Sequence, residues 1–196
     1  MMNETGPYTQ DVFVADFTEY NNNHPKTPAP YAGVVITSEK NDIISSFRLT
    51  DKNRHPFMAV NFEENPNVFI REDGTKVSQC ECMFYAVREA SPAWMLFLEL
   101  KYCAPKNAYD SIIEGIGQLK KTCKYLLEEK QEYESAKFKR FLAISTPNCE
   151  PLDPFDANYF NQEDMLALKE ETQATLFITN QVDVYTPIHL RGAKSL

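Results

Sequence analysis

Glycine is scarce in this chain. Six are spread over 196 residues, and they assemble no glycine-rich phosphate loop, no Gly-x-Gly-x-x-Gly fingerprint and no Gly-x-Ser-x-Gly elbow. Phosphate-cradling loops and the serine-hydrolase turn need glycine where backbone approaches a ligand or bends sharply, so those enzyme classes find no support. Histidine is scarcer still. None of the three lies near a candidate nucleophile, His24 falling in a proline-rich stretch and His55 standing before Pro56. Imidazole-based acid–base catalysis is therefore not expected. The five cysteines form no Cys-x-x-Cys pair and have no histidine near them, which argues against zinc. An odd count without a disulfide framework suits a reducing compartment.

Long apolar runs are also missing, so nothing approaches membrane-spanning length. The opening Met1-Met-Asn-Glu-Thr-Gly-Pro7 has neither the basic start nor the apolar core of a secretory signal. A cytoplasmic protein with no membrane partner is the expectation. Positive charge is in deficit: 20 Lys and Arg against 28 Asp and Glu give a net charge of -8. That argues against broad, sequence-blind adhesion to DNA, whose affinity comes largely from neutralised phosphates. The basic residues nevertheless gather mid-chain, at Lys101, Lys106, Lys120, Lys121, Lys124, Lys137, Lys139 and Arg140. They could form a local basic surface, or a solvated helix face balanced by Glu128 and Glu129.

What is present suits one folded domain with a real core, or one domain plus extensions. Residues 1–30, with three prolines between Pro25 and Pro30 after three asparagines, read as an N-terminal arm or loop. A single α/β domain is expected over 31–190, and a loose tail over 191–196. Gly33–Thr37, Phe57–Phe62, Val68–Arg71 and Phe138–Ser145 read as strands, and Glu72–Thr75 as a turn. Ser38–Leu49 fits either a helix or a hairpin. Asn161 is placed to cap a helix through about Thr172, with Met165, Leu166 and Leu168 as its apolar positions. Thr175–Thr179 and Val182–Tyr185 read as a strand or hairpin around Asn180-Gln181. No internal repeat is present.

The middle of the chain carries the chemistry. Trp94–Lys101 is a run of large apolar residues that ends by alternating Leu98, Glu99, Leu100, Lys101, so Glu99 and Lys101 share one face of a buried strand. Charges at the end of a core strand are costly to desolvate and are either paired with each other or exposed in a cleft where they act. Val77–Val87 reads as a second strand and Arg88–Ala93 as the turn between them; a tip near Ala90 sets Glu81 opposite Glu99. Two facing carboxylates destabilise a ladder unless something positive lies between them, and a divalent cation would serve better than Lys101 alone. Ala108–Lys130 reads as a helix whose apolar stripe is Ile112, Ile116, Leu119, Cys123 and Leu126. Gly115, Gln118, Thr122 and Tyr125 form the neighbouring stripe, with Gly115 permitting close backbone approach and Gln118 at the border of the interface.

Gln79-Cys-Glu81, then Leu98-Glu99-Leu-Lys101, then Gln118-Leu119 on a helix resembles the core of the PD-(D/E)xK nuclease superfamily. The resemblance implies an α/β fold, a central mixed β-sheet flanked by helices with a restriction-endonuclease-like core. It implies a metal-dependent nuclease that hydrolyses phosphodiester bonds of nucleic acid, DNA before RNA, in repair, recombination or restriction. Mg²⁺ or Mn²⁺ would be held by Glu81, Glu99 and the Leu100 carbonyl, Lys101 would orient the attacking water, and Gln118 would support the site. Family members also often carry an early acidic residue, for which Glu39, Glu63 and Glu64 are the candidates. The oligomeric state is left open, a homodimer included. The alternative is a protein that keeps the nuclease fold without the chemistry and acts as a binding or structural module.

Overall fold

A computed structural model of the chain describes residues 2–87, 92–129, 137–149 and 162–192. In chain order the strands are β1 (Thr5–Tyr8), β2 (Val12–Asp16), β3 (Val34–Thr37), β4 (Phe47–Thr50), β5 (Phe57–Asn61), β6 (Cys82–Ala86), β7 (Ala93–Leu100), β8 (Phe138–Ser145), β9 (Ala174–Ile178), β10 (Gln181–Thr186) and β11 (His189–Gly192). The helices are α1 (Thr18–Asn23), α2 (Ala108–Glu129) and α3 (Gln162–Thr172). No helix among the described residues is long and apolar enough to cross a membrane.

The class is α/β, as the sequence implies, but the strands form two mixed sheets rather than one central sheet. The six-stranded sheet runs β1-β5-β6-β7-β8-β9 and the five-stranded sheet β11-β10-β4-β2-β3. In the larger sheet β5, β6 and β7 pair antiparallel, and β7, β8 and β9 pair parallel. A strand flanked on both sides and covered on both faces reads as a continuous apolar run, which is what Trp94–Leu98 supplies. Every residue of β7 is buried. The return to β8 crosses over through α2, as parallel pairing requires.

Residues 1–30, expected as an arm or loop, instead contribute a strand to each sheet. β1 pairs with β5, and β2 lies between β3 and β4 with Val12, Val14 and the following Phe17 fully buried. The prolines that suggested a loop fall only between Pro25 and Pro30, after α1 has ended. Val68–Arg71 is not a strand: Pro66 opens a 3-10 turn through Phe69, and only Ile70 makes a β-bridge, to Lys76. Proline fixes φ near the helical value at the first position of such a turn. Ser38–Leu49 holds no helix, and its regular part is β4.

β9 and β10 are separate strands of different sheets, so no hairpin forms at Asn180-Gln181; β10 pairs parallel with β4 instead. In α3 Leu168 is buried and Met165 packs on the core, but Leu166 is exposed. The expected turn over 88–91, the cap at 161 and the tail beyond 192 lie outside the described residues, whereas Arg191 and Gly192 belong to β11.

The two sheets are knitted together near the start of β3. Asn61 at the end of β5 donates from Nδ2 to the Val34 carbonyl at 2.9 Å, and Glu63 Oε2 accepts the Val34 N–H at 2.8 Å. Gly33 precedes this junction with φ +63°, and a Cβ there would lie 2.2 Å from Glu63 Oε2. Glycine takes this angle without strain, and any side chain there would also displace the Glu63 carboxylate that holds Val34.

Candidate active site

The hairpin register follows the sequence reading through β6, where Tyr85 pairs with Met95 and Cys82 with Leu98. Glu81 lies just before β6, and its N–H also donates to Leu98 O, at 3.1 Å. Glu81 and Cys82 thus oppose the single residue Leu98. Two residues against one is a β-bulge, which bends the strand and re-aims a side chain. Glu81 is therefore offset from the strict opposition to Glu99 that symmetry about Ala90 implies. Its carbonyl accepts from Phe62 N at 3.0 Å, so its backbone is fixed on both sides.

Upstream of the bulge the chain leaves the ladder and is caught by the helix. Cys80 N–H donates to Thr122 Oγ1 at 2.8 Å, and that hydroxyl donates to Gln118 O at 3.0 Å. The α2 stripes fall as their spacing predicts. Ile112, Ile116, Leu119, Cys123 and Leu126 are buried, and so are Gly115, Thr122 and Tyr125. A Cβ at Gly115 would lie 2.3 Å from Ile144 Cδ1 and 3.1 Å from Glu99 Cγ, so the missing side chain lets α2 settle directly over Glu99.

Four separated residues meet beneath that contact. Lys101 Nζ lies 3.1 Å from Glu99 Oε1, 2.5 Å from Gln118 Oε1 and 3.3 Å from Glu114 Oε1. Glu99 is 1% exposed, and its second oxygen, Oε2, has no hydrogen-bond partner among the described residues. Burial pushes the Glu99 carboxyl up to about 7, with Lys101 pulling the other way. Burial also pushes Glu81 up to about 8, and the negative charges of Glu99, Asp16 and Glu63 add to the rise. Burial alone would lower the Lys101 ammonium, but Glu99 and Glu114 outweigh it and raise it. Lys101 therefore remains the fixed cation of the group.

Glu81, Glu99, Lys101 and Gln118 are thus brought into one electrostatic neighbourhood. Gln118 is not open to a ligand through Oε1, which holds the ammonium instead. By strand alternation the Leu100 carbonyl points to the same side of β7 as that of Leu98, where β6 has ended. Of the early acids, Glu63 bears on Glu81, Glu64 accepts from Asn61 at 3.4 Å, and Glu39 is exposed beyond β3.

Three further members escaped the sequence reading. Glu114 precedes Gln118 by four residues and shares its helix face, a relation the helical period could have revealed. Asp16 closes β2 in the stretch read as an arm, so nothing local pointed to it. Tyr102 follows Lys101; burial raises its phenol, Asp16 and Glu81 stand near it, and its hydroxyl donates to Ser45 O at 2.7 Å. Cys80 and Cys82 flank Glu81 as buried thiols whose burial keeps them protonated, which suits small apolar side chains rather than ligands.

Among the described residues no set of three or more His, Cys, Asp or Glu side chains is arranged to hold a metal ion. A cation here would rest on two carboxylates, a main-chain carbonyl and water, a ligand set that magnesium accepts because it keeps several of its waters. The unpartnered Glu99 Oε2 and the raised Glu81 carboxyl fit that demand, since each would be relieved by nearby positive charge. Neither a family model, nor a curated protein, nor a solved structure matches this chain.

Proposed function

We propose that this protein is a divalent-metal-dependent phosphodiester hydrolase acting on nucleic acid, DNA before RNA, with a site organised like that of the PD-(D/E)xK nucleases and its core built on a restriction-endonuclease-like plan. The observation that carries the reading is the convergence of Glu81, Glu99, Lys101 and Gln118, with one buried carboxylate oxygen left without a partner among the described residues. A structural ion pair needs only Glu99 and Lys101. It gives no reason for a second carboxylate to be held beside them with its pKa raised to about 8.

In this reading Glu81, Glu99 and the Leu100 carbonyl hold Mg²⁺ or Mn²⁺. The bound ion supplies a water of lowered pKa and positive charge against the phosphate. Lys101, kept protonated by Glu99 and Glu114, orients the nucleophile and offsets charge growing on the phosphoryl oxygens. Gln118 is a positioning residue, because it touches the ammonium and fixes where that charge sits.

Two measurements test this. Lys101→Ala is expected to retain the fold and lose metal-dependent nicking of plasmid DNA; a variant as active as the parent sinks the assignment. Millimolar Mn²⁺ is expected to raise the Tm of the parent, as any ligand selective for the native state must, and not that of Glu99→Gln. Absence of both effects leaves the second reading, a binding or structural module on the same scaffold. The engagement of Lys101 by three acceptors favours that reading.

A further inference from the structure

The five cysteines divide into two kinds. Cys80, Cys82 and Cys123 are buried, whereas Cys103 and Cys149 are partly exposed and free. The exposed two lie on the segments that leave β7 and β8 side by side, where Leu100 pairs with Ser145 and Lys101 N–H donates to Ser145 O at 2.8 Å. Asn148 then clamps Cys103: its Oδ1 accepts from Cys103 N at 3.3 Å and its Nδ2 donates to Cys103 O at 2.8 Å. Cys149 is held as firmly. Its N–H donates to Thr146 O at 2.9 Å, and its carbonyl accepts from Asn180 Nδ2 at 3.0 Å. Its Sγ donates to the Cys103 carbonyl at 3.2 Å, which sets the Cys149 sulfur against the Cys103 main chain.

The sulfurs belong to residues 46 positions apart, so in a flexible chain their encounter would require closing a long loop. Here both backbones are fixed before any reaction, and that pre-organisation converts the encounter into a local event. We infer that Cys103 and Cys149 form a redox-modification site, a dithiol that takes a peroxide-class oxidant and closes to an intramolecular disulfide. The inference stands apart from the proposed hydrolase activity, although Cys103 follows Lys101 by two residues and the bond would anchor that segment to the loop after β8.

Cys103 makes the first attack, because the Cys149 proton is committed to the Cys103 carbonyl and burial, with Cys103 itself, holds the Cys149 thiol up. The Cys103 sulfur attacks one peroxide oxygen, the O–O bond breaks, the Cys103 thiol proton leaves in water, and Cys103 becomes a sulfenic acid. The Cys149 sulfur then attacks the Cys103 sulfur. An S–S bond forms, the S–O bond breaks, and the hydroxyl departs with the Cys149 proton as a second water. Peroxide gains the two electrons that the sulfurs lose.

The test exposes the reduced full chain to hydrogen peroxide, alkylates it after denaturation and maps it by mass spectrometry without reduction. Alkylatable thiols are expected to fall from five to three, with one peptide pair joined through Cys103 and Cys149, and dithiothreitol is expected to restore all five. Cys149→Ser should lose the cross-link and accumulate a dimedone-reactive sulfenic acid at Cys103. Five thiols surviving peroxide, a bond that involves Cys80, Cys82 or Cys123, or intermolecular disulfides alone would each overturn the inference. The parent's map decides the matter even if a serine variant fails to fold.

Discussion

A carboxyl group buried beside another carboxylate can lower its energy by keeping its proton or by acquiring a cation. At Glu81 and Glu99 burial favours the proton even with Lys101 close to Glu99, and their pKa values are pushed up to about 8 and about 7 from a usual 4.5. The consequence for stability has a definite sign. Below about pH 4.5 both groups are protonated whether the chain is folded or not, and they contribute nothing to pH dependence. Between there and about pH 8 the unfolded chain releases these protons while the folded chain retains them, so stability falls as pH rises through that window. Glu81→Gln carries a neutral amide throughout. It is expected to match the parent's pH response near pH 4 and to gain on it by on the order of 1–2 kcal/mol near pH 8.5, allowing for the water that reaches a partly exposed carboxylate. Urea unfolding of both proteins at the two pH values checks this, and an unchanged difference would show that the Glu81 carboxyl titrates normally. At this scale the site was largely legible: period-2 alternation puts Glu99 and Lys101 on one face, and symmetry about the turn brings Glu81 near. The offset at the bulge was not legible, because it depends on Phe62, the residue after β5, donating its N–H to the Glu81 carbonyl, and no local pattern specifies that pairing.

Helix α2 does more than cover the sheet. Its apolar stripe follows from spacing alone, since a helix buries whichever side repeats every three or four residues. The second stripe holds the face that carries Glu99 and Lys101 in place through two contacts that can be tested separately. Thr122 Oγ1 is the partner of the Cys80 amide, which holds the segment carrying Glu81 against the helix. Thr122→Val has nearly the same shape but strands that buried N–H, and a loss of about 1–3 kcal/mol is expected. Faster exchange of the Cys80 amide should accompany it, and Thr122→Ser, which restores the acceptor, should recover most of the loss. The two glycines make a paired comparison on the same helix. Among the described residues nothing lies within 4 Å of a Cβ at Gly117, so Gly117→Ala is expected to stabilise by about 0.5–1 kcal/mol through helix propensity. At Gly115 the same methyl meets Ile144 Cδ1 at 2.3 Å and crowds Glu99. Overpacking of about 1–3 kcal/mol should cancel or exceed the gain. Thermal melts of the two variants should therefore bracket the parent or leave Gly115→Ala no better than it; equal gains would show that α2 does not seat on Glu99.

Across the whole molecule, most elements are legible in the sequence and their assembly is not. β10 joins β4 across more than a hundred residues, and β2 inserts between β3 and β4, so the second sheet exists only through pairings that no local window contains. For the same reason residues 1–30 carry no local sign of β1 and β2, and the place of these strands in the two sheets has a measurable consequence. Deleting residues 2–16 would remove β1 from the edge of one sheet and β2 from the interior of the other. Burial of Val12 and Val14 alone is worth roughly 1.5–3 kcal/mol apiece. The deletion would also leave β3 and β4 with unpaired edges and expose Phe47 and Val34, which β2 covers from alternate positions along its length. Native domains hold only about 5–15 kcal/mol in total, so a loss of this size leaves little to sustain a cooperative fold. The truncated chain is expected to show no sharp unfolding transition by circular dichroism and to elute expanded or aggregated. If a dispensable arm were the right description, truncation would leave the melting curve unchanged. The deletion also removes Asp16, whose charge helps raise the Glu81 carboxyl, so even a surviving fold would carry a more acidic Glu81 and a shallower fall in stability towards pH 8.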